Sequence, residues 1–330
     1  MAFGLELPGG ISFLISLTTL ALIYGLLALG INVHFGYTGL LNFGHVAFFA
    51  AGAYTAALLT IPPPGTIEST VQYTIGLGLP MPAALPVSLA AAAIVGGLLA
   101  LLIGVTSVRL EHLYLAVATF ALAGIVENII RNEDWLTRGV FGLNRVPRPG
   151  RDVLTAGEWQ LAYLAFVLIV TAGVYLVIER LVDAPFGRLL KGIREDEDAA
   201  KMLGKPTNVV KLKSFVVGGM IAGIAGAIYA HYIGSVVAGQ FVDTITFMVW
   251  LAMLLGGAAS SRGVVVGAFL LIAFRELTRF LPEVGGNPSF VPSIRFVIIG
   301  LLLVLVIRYR PEGLLGDPNE IVTDSGGGES

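Results

Sequence analysis

Long apolar runs with few or no charged side chains recur along this chain, and they constrain its fold more than any other feature. The first run, residues 11–33, carries no charge at all. About 20 apolar residues in a helix are enough to cross the hydrocarbon core of a bilayer. Charged residues make up 13% of the chain, against about 25% in soluble domains. The sequence therefore predicts an all-α, polytopic integral membrane protein.

Nine segments are predicted to span the membrane. They are residues 11–33, 35–60, 82–108, 113–130, 161–178, 214–234, 241–259, 263–281 and 290–307. The second segment is rich in glycine and also contains Asn42 and His45, so we predict a distorted or partly broken helix there. Residues 1–316 are predicted to form one transmembrane domain. The acidic, glycine-rich tail, 317–330, has little to bury and is expected to be disordered.

The distribution of lysine and arginine predicts the orientation of the chain. Eight of these residues lie within 180–213, which places that segment in the cytoplasm. Counting spans from there puts the N-terminus outside and the C-terminus inside. Loop 131–160 carries five arginines and yet falls outside. Long loops cross the membrane largely regardless of their charge.

The charged segment 186–213 is the one block of the chain built for water. Within it, residues 193–203 are predicted to form a short amphipathic helix, because Ile193, Glu197 and Ala200 recur at helical spacing. Gly204 and Pro206 are predicted to end that helix. Such a helix on a cytoplasmic loop suits contact with a soluble partner. A merely solvated loop remains the alternative.

Residue types that support catalysis or cofactor binding are scarce. The chain has no cysteine and four widely spaced histidines, so no disulfide or metal-ligand pattern is visible. It has no phosphate-binding loop of the type that holds ATP. No nucleophile–base set can be named, and no cofactor or nucleic-acid partner is expected. The sequence indicates a conduit rather than an enzyme.

Polar residues at membrane depth are candidate functional sites. Asn42 and His45 are candidates for the transport pathway, with a hydrogen bond in helix packing as the alternative. Two further pairs, Glu127 with Arg131 and Glu276 with Arg279, can each close on one helix face. Because both pairs lie near the ends of their spans, we interpret them as structural.

Pairs of glycines predict close helix packing. Gly44 and Gly52 are eight residues apart, two turns on one helix face, and two further pairs have the GxxxG spacing that lets helices approach closely in lipid. Those two pairs are Gly219 with Gly223 and Gly263 with Gly267.

Six segments resemble one known family, in the order in which they occur there. They are GYTGLLNFGHVAFFAAGAYTAALL (36–59), LEHLYLAVATFALAGIVENII (110–130), GRLLKGIREDEDAAKMLG (187–204), KLKSFVVGGMIAGIAGAIYAHYIG (211–234), LLGGAASSRGVVVGAFLL (254–271) and RPEGLLG (310–316). This pattern is similar to the branched-chain amino-acid ABC transporter permeases of the LivM and LivH type, and LivM is closer. The resemblance covers roughly residues 25–316.

The resemblance implies half of an importer in the plasma membrane, embedded in lipid. Such a permease pairs with a second, LivH-like permease, two cytoplasmic ATPases and an extracytoplasmic binding protein. Many importers carry Glu-Ala-Ala, three residues and Gly where they contact the ATPase. Here Asp replaces Glu, and the isoleucine and Leu-Pro that often follow are missing. The implied coupling residues are Arg194, Glu195, Asp196, Glu197, Asp198, Ala199, Ala200 and Gly204.

In this reading Ala199 and Ala200 let the coupling helix sit close against the ATPase. Other functions stay open: an ion-coupled carrier or channel for small polar solutes, an integral membrane enzyme, or the same importer class with urea or amides as substrate. Carriers usually need ionisable residues at the membrane midplane or discontinuous helices. The second segment could be discontinuous, but buried acids are lacking.

Overall fold

The computed structural model describes residues 9–61, 83–110, 112–278 and 312–316, together with 297–298, 300–301, 304–305 and 308–309. Most of the predicted ninth span, Arg279 and the tail 317–330 lie outside these residues. The helices are α1 (Gly9–His34), α2 (His45–Thr60), α3 (Ala84–Ser107), α4 (His112–Asn132), α5 (Asp134–Thr137), α6 (Ala156–Asp183), α7 (Pro185–Glu195), α8 (Glu197–Met202), α9 (Thr207–Ile233), α10 (Asp243–Gly256) and α11 (Ser261–Leu277).

Six helical segments in the described part of the chain are long and apolar enough to cross a bilayer. They are α1, α3, α4, α6, α9 and α10 with the short 3₁₀ turn (Ala238–Gln240) before it. The all-α, polytopic architecture is therefore confirmed, whereas the number nine stays a prediction. Helix α6 begins earlier than its apolar run, because Thr155 and Glu158 form a capping box at its start.

The second predicted segment is a broken helix, as predicted. Helix α2 begins only at His45, and residues 35–44 form a non-helical loop. Side chains of other helices satisfy the backbone at its end: the Phe43 N–H donates to Thr119 Oγ1 (3.1 Å), and Trp250 Nε1 donates to the Asn42 carbonyl (2.9 Å). Irregular backbone at membrane depth is tolerated where protein surrounds it. We call residues 35–44 the α1–α2 loop.

Glycines bring α2, α3 and α9 into backbone contact. A Cβ atom at Gly52 would meet the backbone of Gly223, and one at Gly219 would meet Gly96 on α3. A Cβ at Gly226 would likewise meet the backbone of α2. Only a residue without a side chain allows this approach. The same holds between α10 and α11, where Gly263 and Gly267 both face Gly256.

The helices place two groups of loops at opposite ends of the bundle. Strand β1 (Leu143–Asn144) pairs antiparallel with β2 (Ser235–Val236), which directly follows α9. Helix α9 has 27 residues and is about 40 Å long, and α7 and α8 precede it. We call the end with α7 and α8 the charged end, and the other the strand end.

Candidate functional site

The charged segment folds into two helices where one was predicted over 193–203. Helix α7 ends at Glu195, Asp196 has extended backbone, and α8 begins at Glu197. The single-helix prediction is wrong because Asp196 acts as an N-cap: its Oδ1 accepts a hydrogen bond from the Ala199 N–H (2.8 Å). The predicted stop is confirmed, since α8 ends at Met202 and Gly204 has a φ of 72°.

Helix α8 is held to the body of the protein by Glu197. Its carboxylate accepts hydrogen bonds from Lys211 Nζ (2.8 Å) and Thr207 Oγ1 (3.2 Å), and Lys201 Nζ lies 3.4 Å away. Partial burial raises the pKa of this carboxyl, but the hydrogen bonds and charges of Lys211, Lys201 and Thr207 together hold it below its usual value. The start of α8 is therefore tied to the start of α9.

The inner and outer faces of α8 differ from our expectation. Ala200, which we expected at the surface, is buried against the protein itself, in a cluster with Ile193 and Val210. Met202 at the end of α8 and Leu203 directly after it are 88% and 77% exposed. Two neighbouring large apolar side chains are thus exposed at the end of a charged segment. The signal in the sequence was their position at the end of an otherwise charged segment, and we missed it.

Helix α7 contacts the α1–α2 loop directly. Leu190 and Ile193 are buried, and the Arg194 guanidinium donates hydrogen bonds to the Gly36 carbonyl and to Glu195 (2.9 Å). Gly39 has a φ of 76°, and a Cβ there would lie 3.3 Å from Arg194 Cγ. A displacement of α7 would therefore press on the loop that leads into α2.

A cavity of about 540 Å³ lies beside this contact. It is lined by residues of the α1–α2 loop, of the α3–α4 connection, of the segment from α7 to α8 and of the start of α9, including Thr38, Arg109, Asp196 and Lys211. In the part of the chain that is described, no group of three or more histidine or acidic side chains is placed to hold a metal ion. The cavity leaves space between the α1–α2 loop and the helices α7 and α8.

Asn42 and His45 belong to a buried hydrogen-bond network. His34 Nε2–H donates to the Phe215 carbonyl (2.9 Å), so its Nδ1 accepts from Asn42 Nδ2 (3.0 Å). Asn42 Oδ1 accepts from the Gly44 N–H (2.8 Å), and His45 Nε2–H donates to the Leu27 carbonyl (3.1 Å). Both candidates are almost fully buried. This geometry favours the packing alternative over a pathway role, and sequence reasoning missed His34.

The sequence of this chain is similar to those of known proteins. Residues 13–307 match the permease component of branched-chain amino acid transport systems. The chain belongs to this family. The permease is 32% identical over 324 residues to the high-affinity branched-chain amino acid transport system permease protein LivM of Escherichia coli, covering 91% of this chain and 69% of the relative. It is also 28% identical over 322 residues to a probable LivM of Methanocaldococcus jannaschii, covering 89% and 90%.

The permease also resembles the second type of subunit. It is 24% identical over 318 residues to LivH of Escherichia coli, covering 91% of this chain and 93% of the relative. No solved structure matches the chain. The predicted resemblance to LivM is confirmed, and the family consists of membrane permease subunits rather than enzymes.

The glycines of α2 do not share one packing face in the permease. Gly44 is the N-cap of α2, and a Cβ there would meet the backbone of Thr119 on α4. Gly52 faces Gly223 on α9 instead. Spacing by two turns was misleading because the helix starts after Gly44.

One predicted ion pair forms within a helix of the permease. Arg131 Nη2 lies 2.7 Å from Glu127 Oε1 on α4. Arg279 is outside the described residues, and the neighbour of Glu276 is Arg275, whose Nε lies 3.8 Å from Glu276 Oε1. Arg275 also donates to Tyr24 Oη on α1 (3.1 Å). Sequence reasoning missed this contact.

Proposed function

We propose that the permease is one of two membrane subunits of an importer for branched-chain amino acids in the plasma membrane. Its N-terminus lies outside and its charged end in the cytoplasm. Separate cytoplasmic subunits hydrolyse ATP, and an extracytoplasmic binding protein delivers the substrate. The family match and the printed names of the LivM relatives support the substrate class. The weaker match to LivH supports pairing with a second, related permease.

The observation that carries the mechanism is the orientation of α8. Its inner face is fixed by the Glu197–Lys211 pair and by buried Ala200, while Met202 and Leu203 point away from the protein. We place these two side chains in the contact with an ATPase subunit, where apolar anchors in a desolvated pocket supply most of the binding energy. The exposed charge of Asp198 sets the register of that contact rather than its affinity.

Helix α7 passes the movement of α8 into the membrane. The two helices are separated only by Asp196, and Arg194 joins the end of α7 to Gly36. When the ATPase subunits bind nucleotide and close, they would displace α8 and α7 as one rigid unit. The α1–α2 loop, and with it the start of α2, would then shift.

Reconstituted uptake tests this proposal. Met202→Asp with Leu203→Asp should leave the permease inserted and paired with its companion, but ATPase subunits should no longer co-purify and ATP-dependent leucine uptake should collapse. Val153→Asp is the matched control, because Val153 is 78% exposed and lies in the loop before α6, at the strand end. It should retain the ATPase subunits.

Three results would contradict parts of the proposal. Full ATP-dependent uptake by the double variant would exclude the docking role of α8. ATP-independent uptake by the purified permease alone would favour a carrier or channel. Uptake of urea or an amide, with no uptake of leucine, isoleucine or valine, would keep the importer and replace its substrate.

A further inference from the structure

A second cavity, of about 590 Å³, lies between α1, α9 and α11 on the strand-end side. Its volume falls within the range of small-molecule sites, about 300–1,000 Å³. Phe13, Leu17 and Leu20 of α1 line one wall, and Tyr229 and Tyr232 of α9 line another. The cavity thus offers apolar and aromatic surface for a small ligand.

Charged side chains also line the cavity. Tyr24 is the sixteenth residue of α1, so its Cα lies roughly 22 Å along a helix of about 39 Å. Arg275 Nη1 donates to the Tyr24 hydroxyl (3.1 Å), and the guanidinium also lies over the Tyr24 ring, 5.8 Å from its centroid. Glu276 is 8% exposed and lines the same cavity. Arg275 and Glu276 lie in the last turn of α11, where a few polar groups converging on a cavity make it a candidate binding site.

The chemistry of these groups fits the two charges of an amino acid. A guanidinium carries five N–H donors in a planar fork that matches the two oxygens of a carboxylate. Within the described residues, the Tyr24 oxygen accepts one of these donors, and the Glu276 carboxylate lies 3.8 Å from Arg275 Nε. The tyrosine rings that line the cavity suit an ammonium group. An apolar side chain would then lie against Phe13, Leu17 and Leu20.

We propose that this cavity is a substrate subsite in which Arg275 binds the α-carboxylate of an amino acid with an apolar side chain. The inference rests on the proposed function, because it identifies a binding site for the substrate of that importer. Tyr24 positions the guanidinium, the tyrosine rings attract the ammonium group, and α1 selects for apolar side chains. Substrate released from the binding protein would enter this subsite from the strand end.

Equilibrium binding of radiolabelled leucine tests the subsite without ATP. The sample is the complex of both permeases and the ATPase subunits in nanodiscs, without binding protein. Leucine should bind saturably, and Arg275→Gln should weaken binding by roughly ten- to a hundredfold, the range for hydrogen bonds to a charged group. Leucinamide, which lacks the carboxylate, and 4-methylpentanoate, which lacks the ammonium, should compete at least tenfold less well than leucine.

Two variants separate loss of the site from loss of the fold. Ser16→Trp should abolish binding by filling the cavity while leaving the Arg275–Tyr24 contact in place, because Ser16 lines the cavity without taking part in that contact. Arg262→Gln is the charge-matched control. It lies on the same helix about 20 Å away, is exposed and donates to Tyr175 Oη. It should bind leucine like wild type.

The outcomes for the subsite and for the importer can be told apart. Wild-type binding affinity in both Arg275→Gln and Ser16→Trp would overturn the subsite, and so would equal competition by leucinamide. The proposed function is decided by a separate measurement, ATP-dependent leucine uptake by the wild-type importer with its binding protein. If the importer takes up leucine and the cavity variants change neither uptake nor binding, the proposed function stands and the proposed subsite is wrong.

Discussion

Replacing Gly52 by alanine should weaken the contact between α2 and α9. The added Cβ would lie 2.5 Å from Cα and 2.7 Å from the carbonyl carbon of Gly223, and closer still to its oxygen. The optimum for two carbon atoms is about 3.5–4.0 Å, so α2 and α9 would have to separate by about 1 Å. No side chain can rotate away, because the neighbour is backbone. Overpacking costs about 1–3 kcal/mol. We expect a cost in the upper half of this range, because the backbone of Ala92 on α3 lies against Gly223 and hinders its movement.

The thermal midpoint of the purified complex measures this cost. At roughly 2–4 °C per kcal/mol, Gly52→Ala should lower the midpoint by about 4–12 °C. Gly124→Ala is the matched control, because within the described residues no atom beyond its own turn of helix lies within 4 Å of a Cβ at Gly124, and alanine favours a helix. Its midpoint should stay the same or rise slightly. Equal midpoints for the two variants would refute a direct backbone contact between α2 and α9.

Two further predictions concern the charged end. A reporter fused after Lys201 should report the cytoplasm and one after Thr155 the outside, and reporters on the same side would refute the predicted orientation. Glu197→Gln should increase tryptic cleavage between α8 and α9 at neutral pH, because Lys211 loses its carboxylate partner. Since the pKa of Glu197 is lowered, its contribution to stability is present above its usual pKa of 4.5 and is lost as the pH falls through the lower folded value. In the wild type, hydrogen exchange at the start of α9 should therefore become faster only in acid. Unchanged exchange in acid and unchanged cleavage of Glu197→Gln would contradict the stabilising contact between Glu197 and Lys211.

The existence of the helices could be predicted because length and apolarity are properties of a local segment. The orientation of α8 could not. Helical spacing shows which residues share a face, but not which face meets the rest of the protein. Ala200 was assigned to the outside for that reason, while Met202 and Leu203 were overlooked. The cap at Asp196, which divides the predicted helix in two, depends on one side-chain hydrogen bond that periodicity does not encode.

The cavity was missed for a different physical reason. Local spacing suggests partners three or four residues away, and so it paired Glu276 with Arg279. Arg275 instead contacts Tyr24, 251 residues earlier in the chain. Contacts of this kind follow from how α1 and α11 pack. Glycine spacing predicted long-range contacts better. Gly226 lies seven residues after Gly219 and three after Gly223, so this packing face of α9 could have been extended from the sequence alone.

The same two helices connect the subsite to the charged end. Helix α1 carries Tyr24 and runs directly into the α1–α2 loop, which Arg194 holds at Gly36. Helix α11 carries Arg275 and begins at Ser261, whose Oγ is hydrogen-bonded to the hydroxyl of Tyr37 in that loop (2.8 Å).

Because a helix moves as a nearly rigid body, a displacement of the α1–α2 loop should shift α1 and α11 relative to each other and change the separation of Tyr24 and Arg275. We therefore expect nucleotide to alter leucine binding in the assembled complex, and Arg194→Ala to reduce that effect, since it removes the guanidinium that links α7 to the loop. Leucine affinity should be measured with and without a non-hydrolysable ATP analogue. A nucleotide effect of wild-type size in Arg194→Ala would exclude this route through the loop.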